Sequence, residues 1–266
     1  MRSVEPKVFL IGETRVIESE LSEYLKHINA GDWTSNAPTD SEKLVEFYGR
    51  LCYRSFKPKM NPNVSKIRNS NDQYLANLEK THHGSVLEHV NFNFVFADVS
   101  RVFTHELVRH RAGVAISQES LRYVRLDDLG QWLPTVVRED ERAMTVFVNT
   151  FKELELLQKE LAILYELDKV DESGKEKNFE FKKKITSAMR RIAPIGLATT
   201  IGWSANARAL RWVLEMRTDP SAEEEIRFVF GKVGEIVCKR YSNLFGDFES
   251  KIVDGLPCYK PINSKV

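Results

Sequence analysis

The stretch RHRAGVAISQESLRY, residues 109–123, decides how the rest of this chain is interpreted. It begins with Arg-His-Arg, passes through a run of small residues and ends in Ser-Leu-Arg-Tyr. A segment of this kind can be a solvated loop, a nucleic-acid patch or a site for an anion. Residues 101–125 contain five arginines and no lysine. A guanidinium is preferred over an ammonium where two parallel hydrogen bonds hold a phosphate or carboxylate, so the composition favours an anion site.

A second arginine-only segment occurs between residues 186 and 217. It also contains five arginines and no lysine, namely Arg190, Arg191, Arg208, Arg211 and Arg217. We expect the two segments to converge on one anionic ligand. The alternative is that individual arginines pair with carboxylates such as Glu106, Glu119 and Glu215, and for any single arginine both interpretations stay open.

Composition narrows the class of protein. The chain has 266 residues and a formal net charge of +1, whereas a nucleic-acid-binding protein is expected to be clearly basic. No apolar run approaches the roughly 18 residues of a membrane span, and the first residues lack the apolar core of a signal peptide. Three widely spaced cysteines, Cys52, Cys238 and Cys258, indicate a reducing compartment. We therefore expect a cytoplasmic protein that binds neither nucleic acid nor a membrane.

Hydrophobic periodicity predicts an α/β (α+β) chain in which long helices flank a modest, mixed or antiparallel sheet. The predicted strands are 8–11, 90–99 and 196–204, and the predicted helices are 41–55, 71–82, 101–110, 137–168, 179–192, 205–217 and one opened by the capping-box sequence Ser221-Ala-Glu-Glu224. We expect residues 171–177 to form a loop and residues 249–266 to form an irregular tail. No shift in composition divides the chain, so we expect one catalytic domain over residues 1–266.

Five of the six histidines lie between residues 82 and 110, which raises the question of a metal site. His105 and His110 are five residues apart and would lie on different faces of a helix. The His-Glu-x-x-His spacing is absent, and no cysteine is close enough to complete a zinc set. We therefore predict no metal and hydrogen-bonded histidines instead. The sequence also lacks a phosphate-binding Gly-rich loop and the flanking residues of an activated serine.

Three motifs together resemble those of the flavin-dependent thymidylate synthases. The first is Arg109-His110-Arg111, eight residues, and then Ser120-Leu-Arg122. The second is HHGSVLEHVNFNF, residues 82–94, and the third is WSANARALRWVLEMRTD, residues 203–219. Their order and spacing are similar to those of the family from about residue 40 to 245. One Arg-His-Arg alone would be a weak signal, but three motifs in the same order are specific.

The resemblance implies an activity and a set of ligands. Members of the family methylate dUMP to dTMP, with 5,10-methylenetetrahydrofolate as the carbon donor. The hydride passes through FAD, which NADPH reduces. Members share an α/β fold and act as homotetramers in which FAD and dUMP lie where subunits meet.

The resemblance also assigns site residues by position. The implied cofactor contacts are Ser85, Arg109, His110, Arg111, Gln118, Asn206, Arg208 and Trp212. The implied substrate contacts are Glu106, Arg109, Gln118, Glu119, Ser120, Leu121, Arg122, Arg191 and Arg217. Arg122 and Arg191 would hold the phosphate, and Arg217 matches the catalytic arginine. Hydride attack places negative charge on the N3/O2 edge of the uracil, which a fixed guanidinium stabilises.

Three positions depart from the family pattern. Gln118 stands where many members have Glu, Glu106 stands where Gln is common, and Trp212 stands where an Asn often approaches the flavin. The expected consequence at Trp212 is stacking in place of a hydrogen bond.

Overall fold

The computed structural model describes residues 2–64, 66–126, 128–170 and 177–264. Its α-helices in this part of the chain are α1 (Glu18–His27), α2 (Asp40–Tyr53), α3 (Asn71–Lys80), α4 (Arg101–Leu107), α5 (Thr135–Arg138), α6 (Glu141–Leu164), α7 (Phe179–Met189), α8 (Ala207–Arg217), α9 (Glu224–Arg240) and α10 (Ser242–Phe245). Two 3-10 helices cover Gly84–His89 and Arg190–Ile192. No helix among the described residues is long and apolar enough to cross a membrane.

The strands form one larger sheet and two small ones. They are β1 (Arg2–Ser3), β2 (Lys7–Glu13), β3 (Asn91–Ser100), β4 (Val114–Gln118), β5 (Gly130–Gln131), β6 (Ala198–Asn206), β7 (Phe248–Val253) and β8 (Leu256–Pro261). The four-stranded sheet has the order β2-β3-β6-β4. β1 pairs with β5 in parallel, and β7 pairs with β8 antiparallel. The predicted class, an α/β chain of long helices and modest sheets, is confirmed.

Two compact units make up the fold. The first comprises Met1–Lys7, Val95–Arg109 and Ile116–Gly202, and the second comprises Val8–Phe94, His110–Ala115 and Trp203–Val266. In the first unit, Leu126, Leu129, Phe151 and Leu197 form a buried cluster. In the second, aromatic side chains dominate the core, with the indole of Trp203 edge-on to Phe230 at 5.7 Å between ring centres.

Two strands end in a residue that caps the following helix. β3 ends at Ser100, whose hydroxyl accepts from the Phe103 backbone N–H over 3.1 Å and starts α4. β6 ends at Asn206, whose Oδ1 accepts from the Ala209 N–H over 2.8 Å and starts α8. Such caps satisfy backbone donors that the first helical turn leaves unpaired. α4 and α8 therefore begin directly where the two inner strands of the four-stranded sheet end.

The predicted strands and helices occur within a few residues of their expected ends, but several elements were missed, among them α1 and β4. The alternation of Phe92, Phe94 and Phe96 is confirmed, since all three are buried on one face of β3. α1 was missed because its N-cap is Ile17, which provides no capping side chain. β4 was missed because its sequence VAISQ is short and half polar, so it lacks a clear hydrophobic alternation.

The predicted capping box at residue 221 is wrong. The helix α9 begins at Glu224, and its cap is the Glu223 carboxylate, which accepts from the Glu225 and Ile226 N–H groups. Ser221 instead donates its hydroxyl and its backbone N–H to Asp219 Oδ1, over 2.7 and 3.0 Å. The bonds from Ser221 to the Asp219 side chain form a local turn, which competes with the use of Ser221 as a helix cap.

The predicted irregular tail is also wrong, because residues 248–261 form the β7–β8 hairpin. Its two-residue turn is Asp254-Gly255, and both residues have positive φ, 51° and 76°. Asp-Gly between paired strands is the sequence preference of a type I′ turn, so the signal was present in the sequence. The loop predicted for residues 171–177 lies, apart from Lys177, outside the described residues.

The long helix predicted for residues 137–168 exists, but most of the side chains on its apolar face that are named below are exposed. The Asp140 side chain caps α6 and separates it from the single turn α5. Phe151 is buried, whereas Phe147, Leu157 and Leu164 are exposed, Leu164 to 70%. A helical period in the sequence therefore identified the helix correctly without showing what covers its apolar face.

Candidate functional site

The loop after Arg111 is tied to the start of α8 in the second unit. The Asn206 backbone N–H donates to the Gly113 carbonyl over 2.9 Å, while the Asn206 side chain caps α8. Gly113 has φ +70°, a conformation that side chains with a Cβ rarely adopt. The first and third sequence motifs therefore meet at Gly113 and Asn206, at the positive end of a helix.

Gly113→Ala should destabilise the fold more than Gly255→Ala. A Cβ at residue 113 would lie 2.5 Å from Asn206 Nδ2, whereas a Cβ at residue 255 meets no atom within 4 Å. Both changes carry backbone strain of about 1–2 kcal/mol, and only the first also disturbs a helix cap, at about 1 kcal/mol more. Urea denaturation measures both free energies of unfolding. Equal losses would show that Gly113 has only a conformational role.

Arg208 lies in the first turn of α8 and contacts the second motif. Its Nη1 donates to Glu88 Oε1 over 2.6 Å, and Glu88 belongs to the 3-10 helix that also carries Ser85. Both side chains of this pair are nearly half exposed. An ion pair so exposed contributes at most about 1 kcal/mol, so an anionic ligand can compete for the guanidinium. Glu88 was not predicted as a site residue, and no local pattern links it to a residue 120 positions away.

Arg217 and His110 are in direct contact. Arg217 Nε donates to His110 Nε2 over 2.7 Å, although the two residues are 107 positions apart. In this geometry His110 Nε2 is the acceptor of the bond, since a guanidinium can only donate. The bond also fixes the direction of a guanidinium whose side chain remains partly exposed. The structure therefore joins a predicted cofactor residue to the predicted catalytic residue.

The remaining predicted residues of the second unit lie at its surface. Ser85 and Arg111 are exposed. Trp212 is 48% exposed, on the side of α8 opposite the buried Val213 and Leu214. An indole on an exposed helix face is available to stack on a planar ligand.

Two predicted site residues of the first unit are bound by the protein itself. Gln118 Nε2 donates to Thr104 Oγ1 over 3.1 Å. The Glu119 carboxylate accepts from the Thr200 N–H over 3.0 Å and from the Thr199 hydroxyl over 3.4 Å, while the Glu119 carbonyl accepts from Arg101. These bonds fix the chain where it leaves β4. Arg101 therefore meets Glu119 through the backbone carbonyl and not through an ion pair, while the Glu119 carboxylate bonds to Thr199 and Thr200.

Ser120 begins a tight turn in the same unit. Its carbonyl accepts from the N–H groups of Tyr123 and Val124, and its hydroxyl accepts from the Arg122 N–H over 3.4 Å. Leu121 packs on the buried cluster around Leu126 and therefore also holds the turn in place. The turn leaves Arg122 exposed.

Three more predicted residues of this unit also reach the surface. Arg109 and Arg191 are exposed and Glu106 is partly exposed. Arg191 Nη1 donates to the Ser187 carbonyl over 3.3 Å, which directs the guanidinium back along α7. The Glu106 carbonyl accepts from the Arg109 N–H over 3.4 Å at the end of α4. The structure thus places cationic side chains of both arginine-only segments at the surface, where an anion can reach them.

Two of the clustered histidines contact tyrosine rings of α2. The His89 ring stacks on Tyr48 at 3.7 Å, and His83 lies against Tyr53 at 5.4 Å between ring centres. Within the described ranges, no group of three or more His, Cys, Asp or Glu side chains could hold a metal ion.

Burial raises the pKa of the Cys238 thiol to about 11, so it stays protonated at neutral pH.

Comparisons with known proteins agree on one family. The family model described as thymidylate synthase complementing protein matches residues 35–241. A flavin-dependent thymidylate synthase of Corynebacterium diphtheriae is 33% identical over 84% of this chain and 85% of its own. The enzyme of the same name from Mycobacteroides abscessus is 32% identical over 84% and 86%.

Solved structures agree on the fold. Thymidylate synthase X of Helicobacter pylori, crystallised with FAD and dUMP, superposes with a TM-score of 0.57 at 18% identity, covering 91% of this chain and 98% of that one. A UMP/dUMP methylase of Streptomyces cacaoi bound with 5-Br dUMP gives a TM-score of 0.60 at 15% identity, covering 92% and 95%. At such identities the likeness concerns the fold.

Proposed function

This chain belongs to the flavin-dependent thymidylate synthase family, and we propose that it methylates dUMP to dTMP. The observation that carries the proposal is the 2.7 Å bond between Arg217 and His110, which brings the ends of two family motifs together. In the finer proposal, 5,10-methylenetetrahydrofolate donates the carbon and NADPH is the reductant. FAD, when bound and reduced, would supply the hydride for this methylation, by attack on the uracil ring.

The residues of the second unit fit a flavin dinucleotide. FAD has an anionic pyrophosphate and a planar ring. The N-terminus of α8 and Arg208 provide donors and positive charge for the pyrophosphate. The exposed Trp212 provides a stacking surface for the planar ring. Ser85, His110, Arg111 and Asn206 add hydrogen-bonding groups to this set. We propose that these six residues bind FAD together with Arg109 and, through its backbone, Gln118.

Substrate binding is proposed to depend on the predicted arginines. Arg122 and Arg191 bind the phosphate of dUMP, since a guanidinium offers two parallel donors to phosphate oxygens. Arg217 donates to the N3/O2 edge of the uracil, where negative charge develops. Arg109 and Glu106 border the nucleotide. Ser120 contributes a ligand hydrogen bond.

The segment from Gln118 to Leu121 is proposed to act mainly through its backbone. The side chains of Gln118 and Glu119 already bond to Thr104 and Thr200, and Leu121 packs inward. The Ser120 hydroxyl and the N–H groups of Ser120 and Leu121 are the parts of the segment proposed to contact the nucleotide.

We propose that the protein is a homotetramer with its sites at subunit interfaces, acting in the cytoplasm as a single catalytic domain. The exposed apolar side chains of α6 support self-association, since Val146, Leu156, Ile163 and Leu164 are each more than half exposed in the isolated chain. A helix face of this kind usually packs against another protein surface.

The purified protein should be yellow, with the absorption spectrum of an oxidised flavin. Arg208→Ala should lower FAD affinity by about tenfold, because it removes a charged hydrogen bond to the dinucleotide. Arg142→Ala, a matched change at an exposed arginine of α6, should leave the affinity unchanged. Omitting dUMP, methylenetetrahydrofolate or NADPH singly from the assay tests each ligand. A colourless protein that takes up no FAD on reconstitution would contradict the proposal.

A further inference from the structure

A cavity lies beside α7 in the first unit. It has a volume of about 570 Å³ and is lined by Arg122, Asn178, Glu180, Phe181, Lys183, Lys184 and Ser187. Its size is within the range of small-molecule sites and exceeds the space that one phosphate group occupies. Arg122 is the residue proposed above to bind the phosphate of dUMP. The cavity therefore extends outward from that position.

The lining carries an excess of positive charge. Glu180 is the one carboxylate in the lining, and it lies 3.4 Å from Lys183. Neither Arg122 nor Lys184 has a carboxylate within ion-pair distance among the described residues. A cavity with two uncompensated cations attracts an anion.

Two of these cations contact the same aromatic ring. The Arg122 guanidinium and the Lys183 ammonium lie 5.9 and 5.8 Å from the centre of the same Tyr123 ring. That ring stacks on Phe179 at 5.9 Å with an interplanar angle of 9°. Cation–ring contacts of this length stabilise each cation by about 0.5–1 kcal/mol at an exposed site. The two charges are thus positioned before any ligand arrives.

One face of α7 continues the row of cations toward Arg191. Residues 180, 183, 184 and 187 are spaced three and four apart, so they share a helix face. Arg191 follows one turn later and bonds back to the Ser187 carbonyl over 3.3 Å. Lys183 and Lys184 precede Arg191 by roughly 11 Å along the axis. This length suits a chain of phosphates rather than a single one.

We propose that this cavity is a subsite for the second and third phosphates of a nucleoside 5′-diphosphate or triphosphate. The inference rests on the proposed function, because the first phosphate is the one bound by Arg122 and Arg191. Lys183 and Lys184 contact the added phosphates, and the protein therefore binds dUTP in competition with dUMP. No chemical step is involved.

The test compares the holoprotein with the variant Lys183→Gln/Lys184→Gln in titrations with dUMP, dUTP and inorganic tripolyphosphate, without divalent cations. In the natural chain, dUTP should displace dUMP with a Kd within about tenfold of that of dUMP. The double variant should raise the Kd of dUTP and of tripolyphosphate at least tenfold and that of dUMP less than threefold. Lys239→Gln/Lys251→Gln removes two exposed lysines of the second unit as a matched control and should change none of the three.

Three outcomes overturn the subsite. The first is that dUTP fails to displace bound dUMP. The second is that the double variant binds dUTP as tightly as the natural chain does. The third is that the double variant loses equal affinity for dUMP and for dUTP. Equal losses would mean that both lysines contact the phosphate of dUMP itself. Failure of the proposed function looks different, because dUMP itself would then not bind while tripolyphosphate still reports on the cavity. Both lysines reach solvent, so thermal unfolding of the variant should match that of the natural chain.

Discussion

Replacing Arg217 with alanine should lower the kcat of dTMP formation about 10²–10³-fold while the protein keeps its flavin. In the proposed mechanism Arg217 stabilises the negative charge that hydride attack places on the uracil, and removal of one such donor has an effect of this size. FAD binding depends on other groups of the second unit, among them Arg208 and Asn206. The variant should therefore remain yellow. Steady-state assays of dTMP formation and the flavin spectrum measure the two effects separately.

Arg217→Lys and Arg217→Gln refine the expected result. Lysine keeps the charge but cannot donate both to His110 and, in parallel, to a uracil edge, so it should recover only part of the rate. Glutamine keeps one donor and loses the charge, and should resemble alanine. An alanine variant with nearly full activity would remove Arg217 from the chemistry. A variant without flavin would place Arg217 in cofactor binding.

The sequence predicted those parts of the molecule that depend on local pattern. The alternation of β3, the period of α6 and α7, and the motifs around Arg109 and Asn206 are all read within a few consecutive residues. The Glu223 cap was missed because Ser221 has a nearer acceptor in Asp219. The β7–β8 hairpin was missed although Asp254-Gly255 signals its turn.

Contacts between distant residues could not be predicted from the sequence. Glu88 meets Arg208 across 120 positions, and Glu119 meets Thr200 across 81. Both arginine segments were expected to bind one anion, yet Arg211 is buried and bonded within the protein. A guanidinium that binds a ligand and one that joins helices have the same sequence signature, since both exploit the same planar donors.

Arg211→Met should destabilise the protein by about 3–5 kcal/mol, the cost of leaving a buried carboxylate without its partner. Arg211 is 5% exposed and forms two parallel bonds to Asp247, over 2.7 and 2.8 Å. It also donates to Glu79 over 3.2 Å and to the Leu244 carbonyl. The residue therefore joins α8, α3 and the segment before β7. Arg240→Met is the matched control, because its pair with Glu13 is half exposed and should contribute no more than about 1 kcal/mol.

The loss should grow as the pH rises. Burial, opposed by Arg211 and aided by Asp247, raises the pKa of Glu79 to about 8. Without Arg211, the folded state holds protons that the unfolded carboxyls release, so stability falls with increasing pH above the ordinary carboxyl pKa. Urea denaturation of Arg211→Met and of the natural chain between pH 7 and 10 measures the difference in slope, because Glu79 of the natural chain already holds its proton up to about pH 8. Adding Asp247→Asn to Arg211→Met should recover part of the stability by removing the unpaired charge. A loss of stability that does not depend on pH would instead mean that Arg211 stabilises the core through packing. Its contact with the Phe248 ring at 4.9 Å is part of that packing.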